Sequence, residues 1–396
     1  MTSQQRRALV LVAVSQLLAL GVWFSATAVI PQLEQAWGLE PGGAAGVTLA
    51  VQIGFVAGAL VSATLNVADL FPARALFGAS AVLAALANLG LLLVGPGEVG
   101  LAYALRFATG LFLAGVYPTG LKVMAGWFRQ GRGMAMGLMV GALTVGSASP
   151  HLVRGLGLDW RGVVATASAL TVAASLLMAW VGDGPHDAMS SRFRWRQVAD
   201  AMSTRGTRLA TFGYLGHMWE LYAVWTWIGA YLAASAGEAG SGYPSIPVLT
   251  FAIIASGGVG AWIAGRMADR SGRALVAGGS MAISGACSLL SAAVFGAPAW
   301  LVVPVMVVWG VTVVSDSAQF SAMVTETATP ETRGTALTIQ TALGFLLTMV
   351  TIWGVPRVAE VAGWRWAFVG LAIGPALGVA AMARFRRVIE GQPAYP

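Results

Sequence analysis

The sequence predicts an all-α membrane protein with twelve transmembrane helices in two pseudo-symmetric six-helix bundles. Three observations predict it. The composition is too apolar for a water-covered surface, membrane-length apolar runs fill the chain, and charged landmarks recur about 200 residues apart. Of the 396 residues, 57% are hydrophobic and 10% are charged, with a mean hydropathy of +0.75. A water-soluble domain carries about 25% charged residues. The 51 glycines suit close helix contact in lipid.

The apolar runs lie at about 8–30, 45–68, 74–95, 99–124, 133–153, 162–182, 209–234, 246–265, 274–296, 299–323, 334–355 and 365–383, here spans 1 to 12. Each has roughly the 20 residues that cross a bilayer. Backbone N–H and C=O groups must be satisfied internally in lipid, so the runs are read as helices. The short alternating segments of strands are absent. Span 1 is too long for the apolar core of a signal peptide and lacks a cleavage pattern, so it is expected to stay in the mature protein.

The formal net charge is +7, and its distribution argues for orientation rather than nucleic-acid binding. With both termini in the cytoplasm, seventeen arginines fall inside, and only Arg154, Arg161, Arg357 and Arg365 fall outside. That bias follows the positive-inside rule and predicts an integral multi-pass protein of the cell membrane. Cys287 is the single cysteine, so no intrachain disulfide or multi-cysteine metal site is expected.

The two halves echo each other. "NVADLFPARALF" (66–77) recurs as "GRMADRSGRALV" (265–276), with Asp69 and Asp269 200 residues apart. Arg132-Gly133 and Arg333-Gly334 open spans 5 and 11, while Trp160-Arg161 and Trp364-Arg365 open spans 6 and 12. The halves meet at a polar stretch, 182–208, with five arginines. The expected organisation is a bundle over 1–183, a cytoplasmic linker over 184–207 and a second bundle over 208–396. Parallel six-helix repeats around a midplane site are a common transporter architecture.

On these residues the chain resembles the major facilitator superfamily over essentially its whole length. The family's Gly-x-x-x-Asp-Arg-x-Gly-Arg loop between helices 8 and 9 is matched by Gly265, Asp269, Arg270, Gly272 and Arg273. The first copy keeps Asp69 and Arg74 but has Asn66 for the first glycine and one extra residue. The Arg-x-x-x-Gly signature of helix 4 is matched by Arg106 and Gly110. The resemblance implies an alternating-access transporter whose central cavity is lined by spans 1, 4, 7 and 10. An Asp at an inner helix end can accept hydrogen bonds from arginines and from a neighbouring helix N-terminus. Such contacts would form when the halves close on the inside and break when they open. Asp69, Arg74, Arg132, Gly265, Asp269, Arg270, Gly272, Arg273 and Arg333 are therefore the candidate cytoplasmic latch. The alternative is a pair of tight charged turns that only fix orientation.

Nearly every charge sits in a loop or at a helix end. The exceptions are Arg106 and Lys122 in span 4, Glu220 in span 7 and Asp316 in span 10, with His217 one turn from Glu220. Charges at membrane depth usually face a cavity or a partner. Glu220, His217, Asp316 and Arg106 are the proton-coupling candidates, Glu220 first, because it is the acidic group nearest the middle of a cavity helix. His217 can tune or relay a proton, since histidine titrates near neutrality. The other readings are a static Glu220–His217 pair and an ion pair from Asp316 to Arg106 or Lys122. Lys122, the only lysine, follows Pro118 and reads as an anion contact or gate, or as a chain reaching to the membrane surface.

Aromatic rings can enclose an organic solute or face a cation. Trp23, Phe24, Tyr117, Lys122, Trp219, Tyr222, Trp227 and Gln319 are the candidate substrate contacts. The methionines Met134, Met136 and Met139 read as gap-fillers rather than copper ligands. No nucleotide-binding Gly-x-x-x-x-Gly-Lys-Ser/Thr motif exists. Span 5 carries "GSASPHL" where the superfamily's drug/proton antiporters carry Gly-Pro-x-x-Gly-Gly, and spans 2 and 8 lack the internal arginine of its nitrate porters. The expected function is a proton-coupled secondary transporter of a small solute, monomeric, without cofactor, metal or nucleic acid. The alternatives are a transporter-like sensor that binds solute without moving it and a membrane-embedded enzyme, the latter lacking any nucleophile beside His217 and Glu220.

Overall fold

The computed structural model describes residues 1–39, 41–128, 132–186, 194–240 and 242–390, and within them every regular element is helical. The transmembrane helices are α1 (Ser3–Phe24), α2 (Pro41–Thr64), α3 (Ala73–Leu89), α4 (Val99–Leu113 continued by Tyr117–Trp127), α5 (Arg132–Gly155), α6 (Trp160–Ala179), α7 (Arg205–Ala239), α8 (Ile246–Ser271), α9 (Arg273–Val294), α10 (Ala299–Ser315 continued by Ser317–Thr327), α11 (Arg333–Ala362) and α12 (Ile373–Phe385). Eleven candidate spans among the described residues are long and apolar enough to cross a membrane. The twelfth crossing, α7, is the longest helix at 35 residues. Its interleaved tryptophans and tyrosines, with His217 and Glu220, dilute its hydropathy. The end of the bundle holding Ser3 and Phe385 is called proximal below, the other end distal.

Caps explain several starts. Thr2 Oγ1 accepts from Gln5 N (3.2 Å) while Gln5 Oε1 accepts from Thr2 N (2.9 Å), a reciprocal capping box. Asp159 Oδ1 accepts from Gly162 N at the start of α6 (2.8 Å). The last span begins later than the sequence suggests. Residues 364–368 form turns before a short 3₁₀ segment, Val369–Ala372, leads into α12. The cause is a staple, because Arg365 bonds Glu238 Oε1 (2.5 Å) and Ala292 O (3.2 Å). The described part of the linker holds two short helical segments, Trp195–Gln197 and Val198–Ala201. It docks on α11, where Arg194 N donates to Thr335 Oγ1 (3.1 Å).

Three crossings are interrupted. α1 stops at Phe24 and resumes, after the 3₁₀ turn Thr27–Val29, as the short helix Ile30–Trp37. α4 breaks over residues 114–116 and α10 at Asp316, corresponding points of the two halves.

Glycine sets how closely the helices meet. A Cβ on Gly110 of α4 would stand 2.0 Å from Val51 O of α2, and one on Gly310 of α10 would stand 1.9 Å from Ile253 O of α8. Gly58 against Leu111 O (2.3 Å) is mirrored by Gly260 against Val311 O (2.2 Å). The same bare-backbone crossing is thus built twice, about 200 residues apart. The seam between halves runs along α5 with α8 and along α2 with α11. On α5 a Gly141 Cβ would lie 3.2 Å from Gly258 O.

Gly110→Val forces α2 and α4 apart, and overpacking of this kind costs about 1–3 kcal/mol. Its thermal unfolding midpoint in detergent is expected to fall. Gly279→Ala, where a Cβ meets nothing within 4 Å, is expected to leave the midpoint unchanged or slightly raised.

Candidate functional site

At the seam, four helices contribute rings to one aromatic plug. Trp23 of α1 lies 4.7 Å from Phe55 of α2, 5.7 Å from Phe345 of α11 and 5.9 Å from Tyr222 of α7. Phe24 stacks on Tyr222 at 6.0 Å and meets Trp225 edge-on at 5.8 Å. These centroid separations fall in the favourable range for aromatic pairs. The plug joins α1 and α2 of the first half to α7 and α11 of the second.

Proximal to the plug the seam becomes polar. His217 Nδ1 stands 2.8 Å from Asp316 Oδ1, with both side chains buried. Tyr214 and Phe320 flank the imidazole, at ring distances of 6.0 and 5.7 Å. Asp316 sits at the break of α10, before Ser317–Thr327, where a helix N-terminus favours an anion. Gln16 of α1 and Gln340 of α11 are fully buried, and none of their amide atoms has a hydrogen-bond partner among the described residues.

Glu220 looks elsewhere. Ser284 Oγ of α9 donates to its Oε1 (2.5 Å) and Trp309 Nε1 of α10 to its Oε2 (3.2 Å). The expected Glu220–His217 pair does not form; each residue has its own partner. The α7 side chains at 220, 227 and 231 are therefore turned into the second bundle. Trp227 donates to Ile352 O (2.9 Å) and Tyr231 to Ser291 O (2.6 Å). Groups that are costly to desolvate are placed where permanent partners exist, leaving Tyr222 and Trp225 for the seam. Trp219 leaves the centre too, donating to Gly370 O (3.1 Å).

Arg106 is fully buried, and no carboxylate meets it among the described residues. Its fork donates to Val22 O (2.9 Å), Asn88 Oδ1 (3.0 Å) and Trp23 O. Those carbonyls are freed by the break of α1 after Phe24. Asn88 of α3 also accepts from Ser25 Oγ (2.7 Å) and donates to Ser168 Oγ of α6 (3.0 Å). Arg154 serves the same segment, donating to Ala28 O (2.7 Å). Arg106 thus ties α1, α3 and α4 together and fixes the backbone of the plug's Trp23. Asp316 meets His217 in place of the Arg106 expected as one partner.

The latch candidates lie at the proximal end. The Asp269 carboxylate stands against the start of α5, where a Cβ on Gly133 would be 3.1 and 3.2 Å from its two oxygens. Gly265 lies beside Gly133 O (3.6 Å from a Cβ there). Gly272 takes φ 87° at the turn into α9. Arg273 donates to Glu326 (2.7 Å) and to Gln319 (3.3 Å), which draws Gln319 away from the centre. Arg74 makes a bidentate pair with Asp183 (2.8 and 3.0 Å) within the first half. Arg270 is exposed and Arg333 half-buried. The side chains of Asp69 and Arg132 lie outside the described residues. Tyr117 and Lys122 are half-buried on the second segment of α4. Sequence reasoning missed Gln16, Gln340, Asn88 and Ser284. The available signal was an amide or hydroxyl inside an apolar span, diluted by many similar residues that only bond their own helix.

The Major Facilitator Superfamily model matches residues 12–315. Among solved structures, the chain is similar to the proton:xylose symporter XylE bound to 6-bromo-6-deoxy-D-glucose, with TM-score 0.76, 14% identity, and coverage of 98% of this chain and 96% of that one. It is also similar to a bacterial homolog of the human lysosomal transporter Spinster, inward-facing and occupied, with TM-score 0.72, 12% identity and all of both chains covered. A third is a mutant form of the nucleoside transporter NupG, with TM-score 0.70, 14% identity, and 96% and 99% of the two chains covered. No curated protein sequence matches the chain. At these identities the structural likeness speaks for the fold alone.

Arg106→Lys keeps the charge and loses the fork. Hydrogen bonds from charged groups contribute about 1.5–3 kcal/mol each, so the unfolding midpoint is expected to drop by several degrees, with Asn88→Ala dropping it less. An unchanged midpoint in Arg106→Lys would show that the backbone contacts carry no stability.

Proposed function

This chain belongs to the major facilitator superfamily and is a membrane transporter, and from that premise we propose that it moves a small solute by alternating access, coupled to protons. The seam is the observation that carries this reading. Two six-helix halves meet across glycine-lined backbone, an aromatic plug and one exposed carboxylate, contacts that can be exchanged without unfolding either half. The organisation is a bundle over 1–183, a linker over 184–207 and a bundle over 208–396. The proximal end faces the cytoplasm, in keeping with the arginine distribution.

Asp269 supports the latch reading. It belongs to the second half and lies against the N-terminus of α5 in the first, where backbone N–H groups and the helix dipole favour an anion. Arg273 pairs with Glu326 just beyond the end of the helix that carries it. Arg74 acts within its own half through Asp183, which makes the two copies of the loop unequal. Asp269→Asn is expected to favour the inward-open state by roughly tenfold or more, the effect of losing a charge-assisted bond of about 1.5–3 kcal/mol. Labelling of a cysteine introduced at the proximal end of α5 reads the change; unchanged labelling would remove the latch.

The coupled proton is assigned to the Glu220, His217 and Asp316 group. Asp316 is the better carrier of the two carboxylates, because it lies at a helix break and touches a titratable imidazole, whereas Glu220 is held by two donors of its own bundle. Asp316→Asn is expected to abolish uptake driven by a pH gradient in proteoliposomes while sparing counterflow of the same solute. Glu220→Gln is expected to lower stability and leave gradient-driven flux partly intact. The reverse pattern would move the proton to Glu220.

A further inference from the structure

We propose that the polar layer just proximal to the aromatic plug binds an uncharged solute rich in hydroxyl or amide groups, held between the amides of Gln16 and Gln340. The proposal rests on the transporter reading and names the substrate class of its central site.

The two amides lie at similar depth, one in each half. Gln16 is seven residues proximal of Trp23 on α1, and Gln340 five residues proximal of Phe345 on α11. At about 1.5 Å per helical residue, they sit about 10 and 7.5 Å below rings of the same plug. His217 occupies the same layer, five residues proximal of Tyr222 on α7. The layer draws on both repeats: Gln16 and His217 are 201 residues apart, as are Met139 and Gln340. One amide therefore comes from each half, at positions where the other half carries a different residue. Gln16 reaches α4 because that helix has no side chain at 120, where a Cβ would stand 2.3 Å from Gln16 Oε1. Tyr214 of α7 lies against α11 at Gly344, one turn from Gln340.

The unmet chemistry of the layer selects the ligand. Both oxygens and both NH₂ groups of the two glutamines are buried without a partner among the described residues, in a setting where folded proteins leave few such atoms. Satisfying them requires a group that donates and accepts. A hydroxyl or a neutral amide does both, a carboxylate only accepts and an ammonium only donates. The nearby charges are already engaged. Asp316 meets His217, Arg106 is spent on Val22, Trp23 and Asn88, and Lys122 has an interaction of its own. A charged solute would enter a low-dielectric layer with its counter-charges occupied, at high desolvation cost. The rings of Trp23, Tyr222 and Phe345 offer the C–H face of such a solute an apolar ceiling.

Thermal unfolding of the purified protein in detergent tests the assignment with three probe sets: D-glucose and myo-inositol with acetamide, choline with tetraethylammonium, and lactate with benzoate. Millimolar members of the neutral set are expected to raise the midpoint, and the charged sets are not. Gln16→Met and Gln340→Met replace an orphan amide with an apolar chain of similar length. Each should leave the unliganded midpoint equal or higher while weakening the neutral shift about tenfold or more. A role confined to packing would instead lower the unliganded midpoint and leave the shift. Shifts from charged probes only, from no probe, or undiminished in the methionine variants would overturn the proposal and leave water as the partner of the amides. Counterflow in proteoliposomes separates the two levels. Neutral binding without counterflow would keep the site and overturn transport, whereas counterflow of a charged solute would keep transport and overturn the site.

Discussion

A polar group in a bilayer has no water to fall back on, and the rest of this structure follows from how that demand is met. A continuous helix meets it alone. A broken one leaves carbonyls and amides that need partners from elsewhere, and three crossings here are broken. Around the break in α1, Arg106 and Arg154 supply the donors for the carbonyls of Val22, Trp23 and Ala28. Asn88 and Ser168 then complete the network across α3 and α6. The plug inherits its position from this arrangement, because Trp23 and Phe24 are the last residues before the break.

The two halves share a scaffold and divide the chemistry. Glycine contacts at 110 and 310, and at 58 and 260, reproduce one crossing in both. Paired breaks in α4 and α10 fall at corresponding points. Yet α1 is interrupted while its counterpart α7 runs unbroken for 35 residues. A buried arginine braces the first half, and the buried carboxylates Glu220 and Asp316 belong to the second. Duplication preserves what backbone packing requires at close approach, and side chains that do not set helix spacing are free to diverge. The Gly-to-Asn change at 66 fits that division, since Asn66 adopts φ 52°, a conformation asparagine tolerates better than most residues.

Polar side chains at the seam and inside a bundle serve different ends. Inside the second bundle, Glu220 has donors that move with it, so no rearrangement of the halves need expose it. Gln16 and Gln340 belong to opposite halves, and their amide atoms have no partner among the described residues. The same contrast separates Trp227 and Tyr231, whose polar atoms are bonded within the second bundle, from Trp23 and Trp225, whose indole nitrogens are without partners among the described residues.

The sequence by itself determined the membrane class, the helix count, the doubling of the chain and the family, because each depends on composition or on local spacing that survives without coordinates. Apolar length sets a span, and Gly265 to Arg273 spell a turn. It also named the buried charges, since any ionisable residue in an apolar run stands out. The tertiary structure alone decided which way those residues face. Helical periodicity set His217 and Glu220 one turn apart, but it is blind to which neighbour each one meets. Only the packed bundle gave Glu220 to Ser284, His217 to Asp316 and Arg106 to the carbonyls of a broken helix. Partners that lie 64 to 99 residues apart leave no mark on local pattern, because what pairs them is the desolvation energy of a fold that exists only once the helices have met.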